Sequence, residues 1–493
     1  MYSELELKRK EHFDFISEDI YLELFILDYL KIRDYYITAN EIAGFFNITY
    51  KKSSLLLNNL KEKLEKYTNK MISNFYIDFL KGKGYCLFKS NETDIVSFKA
   101  YIIFESPLVK LLNDIILNEI NSIPIYCQDH FISESKFRKD LAKLKESVER
   151  YGIQIDNNFD LKGNEANIRY FIYLFYWKTS RTSWPFHYIE EQKIISTIND
   201  WGYIEHLNSI EKRKIAYFLV IFRLRNVQKH SITTDDYPTL EEYSFLTFKE
   251  TCRCIDFFTT YNNNELSFLF DLFKGFNWVQ DIYLCYEEER SINSQAAIQT
   301  DNFIELYEKH WFSIDAMYYT EAVSYIYSIH KLVGIAPNLE IDLNGNYYGR
   351  YLQFHFPNLY KEIKKFIDLL AKRTNSELFN AYNFLAVNYT MLFYYLEKQC
   401  YYEEKIIILL ETEMPKIVNL QYKKKIEEAL REFYNINVLL AGEVGPLDTV
   451  NLIVTTMSID SLTKDYGRVP TILISREITL YDISMIQKAI GKL

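Results

Sequence analysis

Residues 37–66 read ITANEIAGFFNITYKKSSLLLNNLKEKLEK, and the character of this stretch changes halfway along. Ala39 to Phe46 is a short apolar segment whose Ile42, Phe45 and Phe46 fall on one side of a helix, with Ala43 small enough for a close crossing. Asn47 follows, a residue type that enters the left-handed region cheaply, and Thr49 is placed to cap a second helix. From Tyr50 to Tyr67, Leu56, Leu57, Leu60 and Leu64 share a face with Ser53 and Tyr67, while Lys51, Lys52, Ser54, Asn58, Asn59, Lys61 and Lys63 share the opposite one. The spacing predicts helix, three-residue turn, helix, a geometry that can lay its second helix in a DNA major groove.

Two features extend this reading. MISNFYIDFLKGKGYCLF, residues 71–88, predicts two strands joined by a basic turn at Lys81-Gly82-Lys83-Gly84, a wing whose lysines would reach phosphates. The arrangement then recurs about 85 residues later. IYCQDHF predicts a short helix, Ile132-Ser133 a turn, and ESKFRKDLAKLKESVERY a helix with Phe137, Leu141, Leu144 and Val148 on one face. Ser135, Lys136, Arg138, Lys139 and Lys143 fall outside that face, and a second hairpin with a turn at Asp156-Asn157-Asn158 leads to Lys162-Gly163. The residues predicted to touch DNA are therefore Tyr50, Lys51, Lys52, Ser54, Asn58, Lys81, Lys83, Ser135, Lys136, Arg138, Lys139, Lys143 and Lys162. If four to six cations meet phosphates, log affinity should fall with log salt at a slope of roughly −4 to −5.

Charge is distributed to match. The chain of 493 residues has a formal net charge of −10, yet residues 50–89 hold nine basic and three acidic residues and residues 136–150 hold six and three. An acidic body carrying two basic islands would orient its docking on a polyanion. Only 14 Gly and 9 Pro occur, where average usage would give about 35 and 25, so the chain reads as mainly helical. No purely apolar run exceeds the eight residues of Ile215–Phe222, well short of the roughly 20 that span a bilayer, and the first residues lack the apolar core of a secretion signal. These predict a cytoplasmic protein without membrane contact. Six cysteines, at 86, 127, 252, 254, 285 and 400, form no CxxC pair and no ligand spacing, which predicts reduced, mostly buried thiols and neither metal nor cofactor.

Residues 170–400 carry amphipathic helical stretches with isolated histidines: His187, His206 and His230, then His310, His330 and His355. After residue 400 the pattern alternates. KIIILL, INVLLA, VNLIVTT and PTILIS predict strands between helices, hence a small parallel α/β sheet. AGEVG at 441–445 lacks the Lys-Ser/Thr of a phosphate loop.

Two helix-turn-helix units followed by LKGNEANIRYFIYLFYW and RKIAYFLVIFRLRNVQKHSI resemble the Mga/AtxA class of transcription regulators from Gram-positive bacteria, among them virulence regulators. The resemblance implies domains at 1–105 and 106–169 (winged helix-turn-helix units), 170–290 and 291–400 (helical phosphotransferase regulation domains) and 401–493 (a domain like the IIB component of sugar uptake). It further implies a DNA-binding regulator, an activator, probing sugar supply through histidine phosphorylation by a phosphorelay protein, and a homodimer. His206, then His230, lead as phosphorylation candidates in the first bundle, and His330, then His355, in the second, on the expectation that the acceptor is accessible. A working IIB domain has a phosphate-accepting Cys after its first strand. Here Glu411-Thr412-Glu413-Met414-Pro415 stands there, so that domain reads as degenerate, without catalytic residues. The competing expectations are an RNA-binding antiterminator with regulation domains and a phosphocarrier enzyme of sugar uptake.

Overall fold

A computed structural model describes residues 16–68, 75–89, 92–180, 183–239, 242–253, 255–335, 356–396, 402–445, 449–457, 469–491 and 493. They form two compact units, one from residues 16–305 and 323–335, the other from 306–322 and 356–493. The protein is mainly helical, with a small parallel sheet near the C-terminus. Among the described residues no helix is long and apolar enough to cross a membrane.

The first unit begins with α1 (Glu18–Lys31), started by Ser17, whose hydroxyl accepts from the Ile20 amide. Its apolar residues Ile20, Leu24, Leu27 and Leu30 are buried. Its acidic residues meet lysines from later helices: Asp19 lies 3.1 Å from Lys52, Glu23 2.5 Å from Lys63 and Asp28 2.5 Å from Lys99. This corrects one expectation, because Lys63 is only partly exposed and is paired with the buried Glu23. Next come α2 (Ala39–Phe46) and α3 (Tyr50–Thr68), then a hairpin of β1 (Tyr76–Leu80) and β2 (Gly84–Phe88) paired antiparallel. Ile37, just ahead of α2, exchanges two backbone hydrogen bonds of 2.8 Å with Tyr85 of β2. Gly84 has φ +106°, and a Cβ there would collide with the Ile37 carbonyl, so the hairpin closes onto the helices only because that residue is glycine.

Helices α4 (Glu92–Phe104) and α5 (Pro107–Ile116) lead to α6 (Ile123–Asp129), α7 (Glu134–Glu149) and a second short hairpin, β3 (Gln154–Ile155) with β4 (Leu161–Lys162). Then α8 (Glu165–Ser180) runs through the interior, buried along nearly its whole length. It is followed by α9 (Glu191–Asn199), α10 (Ser209–Val227), which packs on it, α11 (Tyr243–Arg253), α12 (Asn263–Gly275), α13 (Ile282–Ser291), α14 (Gln295–His310) and α15 (Ala316–Ile335). The last two pass from one unit to the other. Lys274 of α12 is wholly buried among Asp271 (2.6 Å), Glu289 (2.5 Å) and Glu242 (2.9 Å), and Lys331 of α15 reaches Asp271 (2.8 Å) and Glu289 (2.9 Å). These bonds join side chains from both sides of the expected division at 290–291.

In the second unit, α16 (Pro357–Thr374) packs with α17 (Tyr382–Leu396). The first of these ends at Asn375, left-handed at φ 49°. The sheet contains β5 (Ile406–Glu411), β6 (Ile436–Leu440), β7 (Leu452–Thr455) and β8 (Thr471–Leu473), all parallel in the order β6-β5-β7-β8. Helices α18 (Lys416–Leu430) and α19 (Leu480–Ile490) bury Tyr422, Ile426, Ile486 and Ile490 against Ile408, Val438 and Val454.

Candidate nucleic-acid interface

Each helix-turn-helix is fixed by backbone chemistry. Thr38 and Glu41 form a reciprocal capping box at the start of α2. Asn47 then turns left-handed at φ 53°, and the Ile48 amide donates to the Ala43 carbonyl at 3.0 Å. Thr49 restarts the chain, its hydroxyl accepting from the Lys52 amide at 3.2 Å. The second copy repeats the turn and the cap that follows it, with a one-way cap in place of the reciprocal one at its start. Ser122 caps α6, Phe131 is left-handed at φ 52°, the Ile132 amide donates to the Cys127 carbonyl at 3.0 Å, and Ser133 accepts from the Lys136 amide at 3.2 Å. Such caps contribute about 1 kcal/mol each. Ser53 clamps the first pair, donating across to the Ala39 carbonyl at 2.8 Å from a fully buried position.

Burial on α3 follows the expected face: Ser53, Leu56, Leu57, Leu60 and Leu64 are inside. Tyr50 and Lys51 are exposed at its first turn. Lys52 is half-buried against Asp19. Ser54 is half-buried, and Asn58, although exposed, accepts from the Tyr85 hydroxyl at 2.8 Å and so ties the helix to the hairpin. Lys81 and Lys83 are exposed at the hairpin turn. Phe45, expected on the buried side of α2, is 37% exposed with its ring 4.3 Å from Tyr29.

On α7, Phe137, Leu144 and Val148 are buried, and Ser135, Lys136, Arg138, Lys139 and Lys143 are exposed. Lys136 bonds Asp140 at 2.8 Å, and Arg138 lies 3.5 Å from Glu134. Lys51, Lys81, Lys83, Lys139 and Lys143 make no ion pair with any described residue. The second hairpin differs from the first. Its turn is acidic, and Lys162 sits at its base, 2.6 Å from Asp160 and 3.9 Å from Asp156. Sequence reasoning missed Phe131, which is 95% exposed in a conformation unusual for a bulky side chain. Its position, matching that of Asn47 in the repeat, was the available signal.

The histidines separate by environment. His206 is exposed, and its Nε2 lies 3.1 Å from the Trp278 carbonyl, which can only accept. Nε2 therefore donates. His230 is half-buried with Nε2 2.9 Å from Asp160. Burial, then Arg225, holds its pKa below the ordinary value, even with Asp160 beside it. His330 corrects an expectation: it has no exposed surface, hydrogen-bonds Thr300 at 3.0 Å, and burial pushes its pKa down to about 3. An incoming phosphoryl donor cannot reach it there. His355 lies outside the described residues. His310, not ranked as a candidate, is exposed at the last turn of α14 with its ring 4.8 Å from Trp311.

Behind the second hairpin lies a buried polar joint. Arg169 of α8 bonds Glu165 (3.0 Å) and Glu265 (2.8 Å), and Arg225 of α10 bonds Glu165 (2.8 Å) and approaches Asp160 (3.5 Å). Asp160 thereby links the hairpin to α10, and through Arg225 to α8. Burial works against its charge, but Lys162, His230 and Arg225 hold its pKa below the usual carboxylate value.

Against known families, residues 91–176 match the family model described as the Mga helix-turn-helix domain. The match spans α4 to α7, the second hairpin and most of α8. No curated protein matches the chain.

Proposed function

From the premise that this chain is a Mga-type transcription regulator, carrying that class's helix-turn-helix domain at 91–176, we propose that both of its amino-terminal repeats are winged helix-turn-helix units that bind double-stranded DNA. The observation that carries the reading is the repeated helix, left-handed turn, capped helix and hairpin, with Lys51 and Lys139 outward on α3 and α7 and Lys81 and Lys83 at the first hairpin turn, none of them neutralised by a described carboxylate. Helix residues reach base edges or phosphates from the groove while the hairpin lysines hold the flanking backbone. The paired cations Lys52, Lys136, Arg138 and Lys162 contribute less, since each must give up an internal partner first.

The protein acts in the cytoplasm as a homodimeric activator, its self-association set by the helical regulation domains and the IIB-like end. Phosphorylation by a sugar-uptake phosphorelay protein supplies the signal. Support for this comes from the exposed ring of His206 and the position of His230 in the joint behind the second hairpin. In the sheet domain, Glu413 follows β5 and engages Thr456 and Arg476, which favours an associating or sensing role over phosphoryl transfer. Replacing Lys51 and Lys139 with Glu tests the core claim. Duplex affinity should collapse at physiological salt with the thermal midpoint nearly unchanged; unaltered mobility shifts would refute the interface. Single replacements by Gln should each lower the salt slope by about one.

A further inference from the structure

The outward stripes of α3 and α7 are not alike. Counted from the capping residues Thr49 and Ser133, the second, sixth and ninth positions are Lys51, Leu55 and Asn58 on α3 and Ser135, Lys139 and Ala142 on α7, all of them exposed. These positions recur at helical spacing and so share one side of each helix. At the centre of that side α7 carries a cation and α3 a leucine.

Leu55 is 56% exposed. A single apolar residue at a surface needs no explanation by itself. This one stands between Lys51, which makes no ion pair with a described residue, and Asn58, whose polar side chain is committed elsewhere. Asn58 Oδ1 accepts from the Tyr85 hydroxyl at 2.8 Å, and the half-buried Ser54 hydrogen-bonds the same phenol. An asparagine that reads adenine needs its carbonyl oxygen for the N6 amino group and its amide for N7. With that oxygen held by Tyr85, Asn58 keeps only donors, and the adenine pairing is lost. What α3 still offers to a base edge, beside Lys51 and the ring of Tyr50 at its first turn, is the apolar tip of Leu55.

Among the four bases only thymine presents an apolar group in the major groove, its C5 methyl. A leucine gains by covering that methyl, whereas against cytosine or adenine it would cover an amino group and strip it of water. Long helical side chains lean back over the preceding turn. That direction carries Leu55 towards the N-terminal part of α3, the part of a recognition helix that meets base edges.

We propose that Leu55 is a specificity-determining residue that reads a thymine through its methyl group. The two repeats then recognise different base edges, the first by apolar contact and the second without it, since Lys139 holds the matching position. The inference rests on the proposed binding of duplex DNA through α3.

The test starts from duplexes that the full chain selects from a random-sequence pool, resynthesised with deoxyuridine in place of one thymidine at a time. Each replacement removes a methyl and leaves base pairing intact. The native chain should lose about three- to fivefold in affinity at one such position per bound chain, the worth of one buried methyl. Leu55→Ala should bind the unreplaced duplex that much more weakly and be indifferent to the replacement, while its salt slope equals the native one because no charge has changed. Leu55→Met, which keeps an apolar tip, should keep the sensitivity, and Lys139→Gln should keep the same ratio while binding more weakly throughout. Native affinity unmoved by every replacement, or a Leu55→Ala chain as sensitive as the native one at the same position, would overturn the thymine contact and leave DNA binding standing. Failure of the native chain to select any duplex would overturn both.

Discussion

His330 shows how one side chain sets a pH limit. Its pKa in the folded protein is pushed down to about 3 by burial, whereas in the unfolded chain it titrates near 6.5. Above about pH 6.5 both states leave it neutral and the folded state keeps its full advantage. Below that, the unfolded chain takes up a proton that the folded one refuses, so stability drains as pH falls from about 6.5 towards 3, at roughly 1.4 kcal/mol per unit. His330→Gln can keep the hydrogen bond to Thr300 and removes this linkage. Between pH 7 and pH 5 the native chain should lose about 2 kcal/mol more than the variant in urea unfolding; parallel losses would mean that His330 is hydrated and titrates freely.

At α12, packing and charge are inseparable, because one buried ammonium serves three carboxylates. Glu242 is pushed up to about 7 by burial, against the pull of Lys274, while Glu289, for all its burial, is held far below the usual range by Lys331 and Lys274. Lys274→Met would leave that cluster short of a cation, and a broken buried pair costs about 3–5 kcal/mol. The loss should be largest at pH 8 and smaller at pH 6, where Glu242 takes up a proton; a penalty independent of pH would place its origin in packing alone. The same region shows what could and could not be read from the chain. Apolar stripes at helical spacing made α3, α7 and most later helices legible, and Asn47 and Thr49 announced the first turn by residue type. Phe131 did not, since a bulky residue at φ 52° has no local propensity behind it and is held by the Ile132–Cys127 bond and the cap that follows. Helix α13 also escaped, because its charged run EEERS hides the buried role of Glu289. The lysines of α3 looked alike in sequence, but Asp19 and Glu23 on α1, tens of residues away, decide which of them remain available. Charge composition names an island; only tertiary partners divide it into structural and free cations.

In the first unit as a whole, the second hairpin is coupled to the helical region through Asp160, Glu165, Arg225 and His230 rather than through an apolar seam alone. Two arginines stay buried among these acids, paired with Glu165, Glu265 and Asp160 but with Arg169 Nη1 left without a partner, which makes the joint sensitive to a single added charge. A phosphoryl group on His230 would bring about two negative charges to within reach of Asp160, and the repulsion would fall on the strand that leads out of the second helix-turn-helix. His206 lies away from these residues, beside the Trp278 carbonyl, so a charge placed there must act by another route. His230→Asp, a carboxylate set against Asp160, should therefore weaken duplex binding at least tenfold, and Asp160→Asn in the same chain should restore most of it, while His206→Asp alone should not respond to that second change. Mobility shifts on the four chains decide the matter: if Asp160→Asn gives no rescue, the hairpin is not governed through this joint, and regulation must enter the DNA-binding units elsewhere.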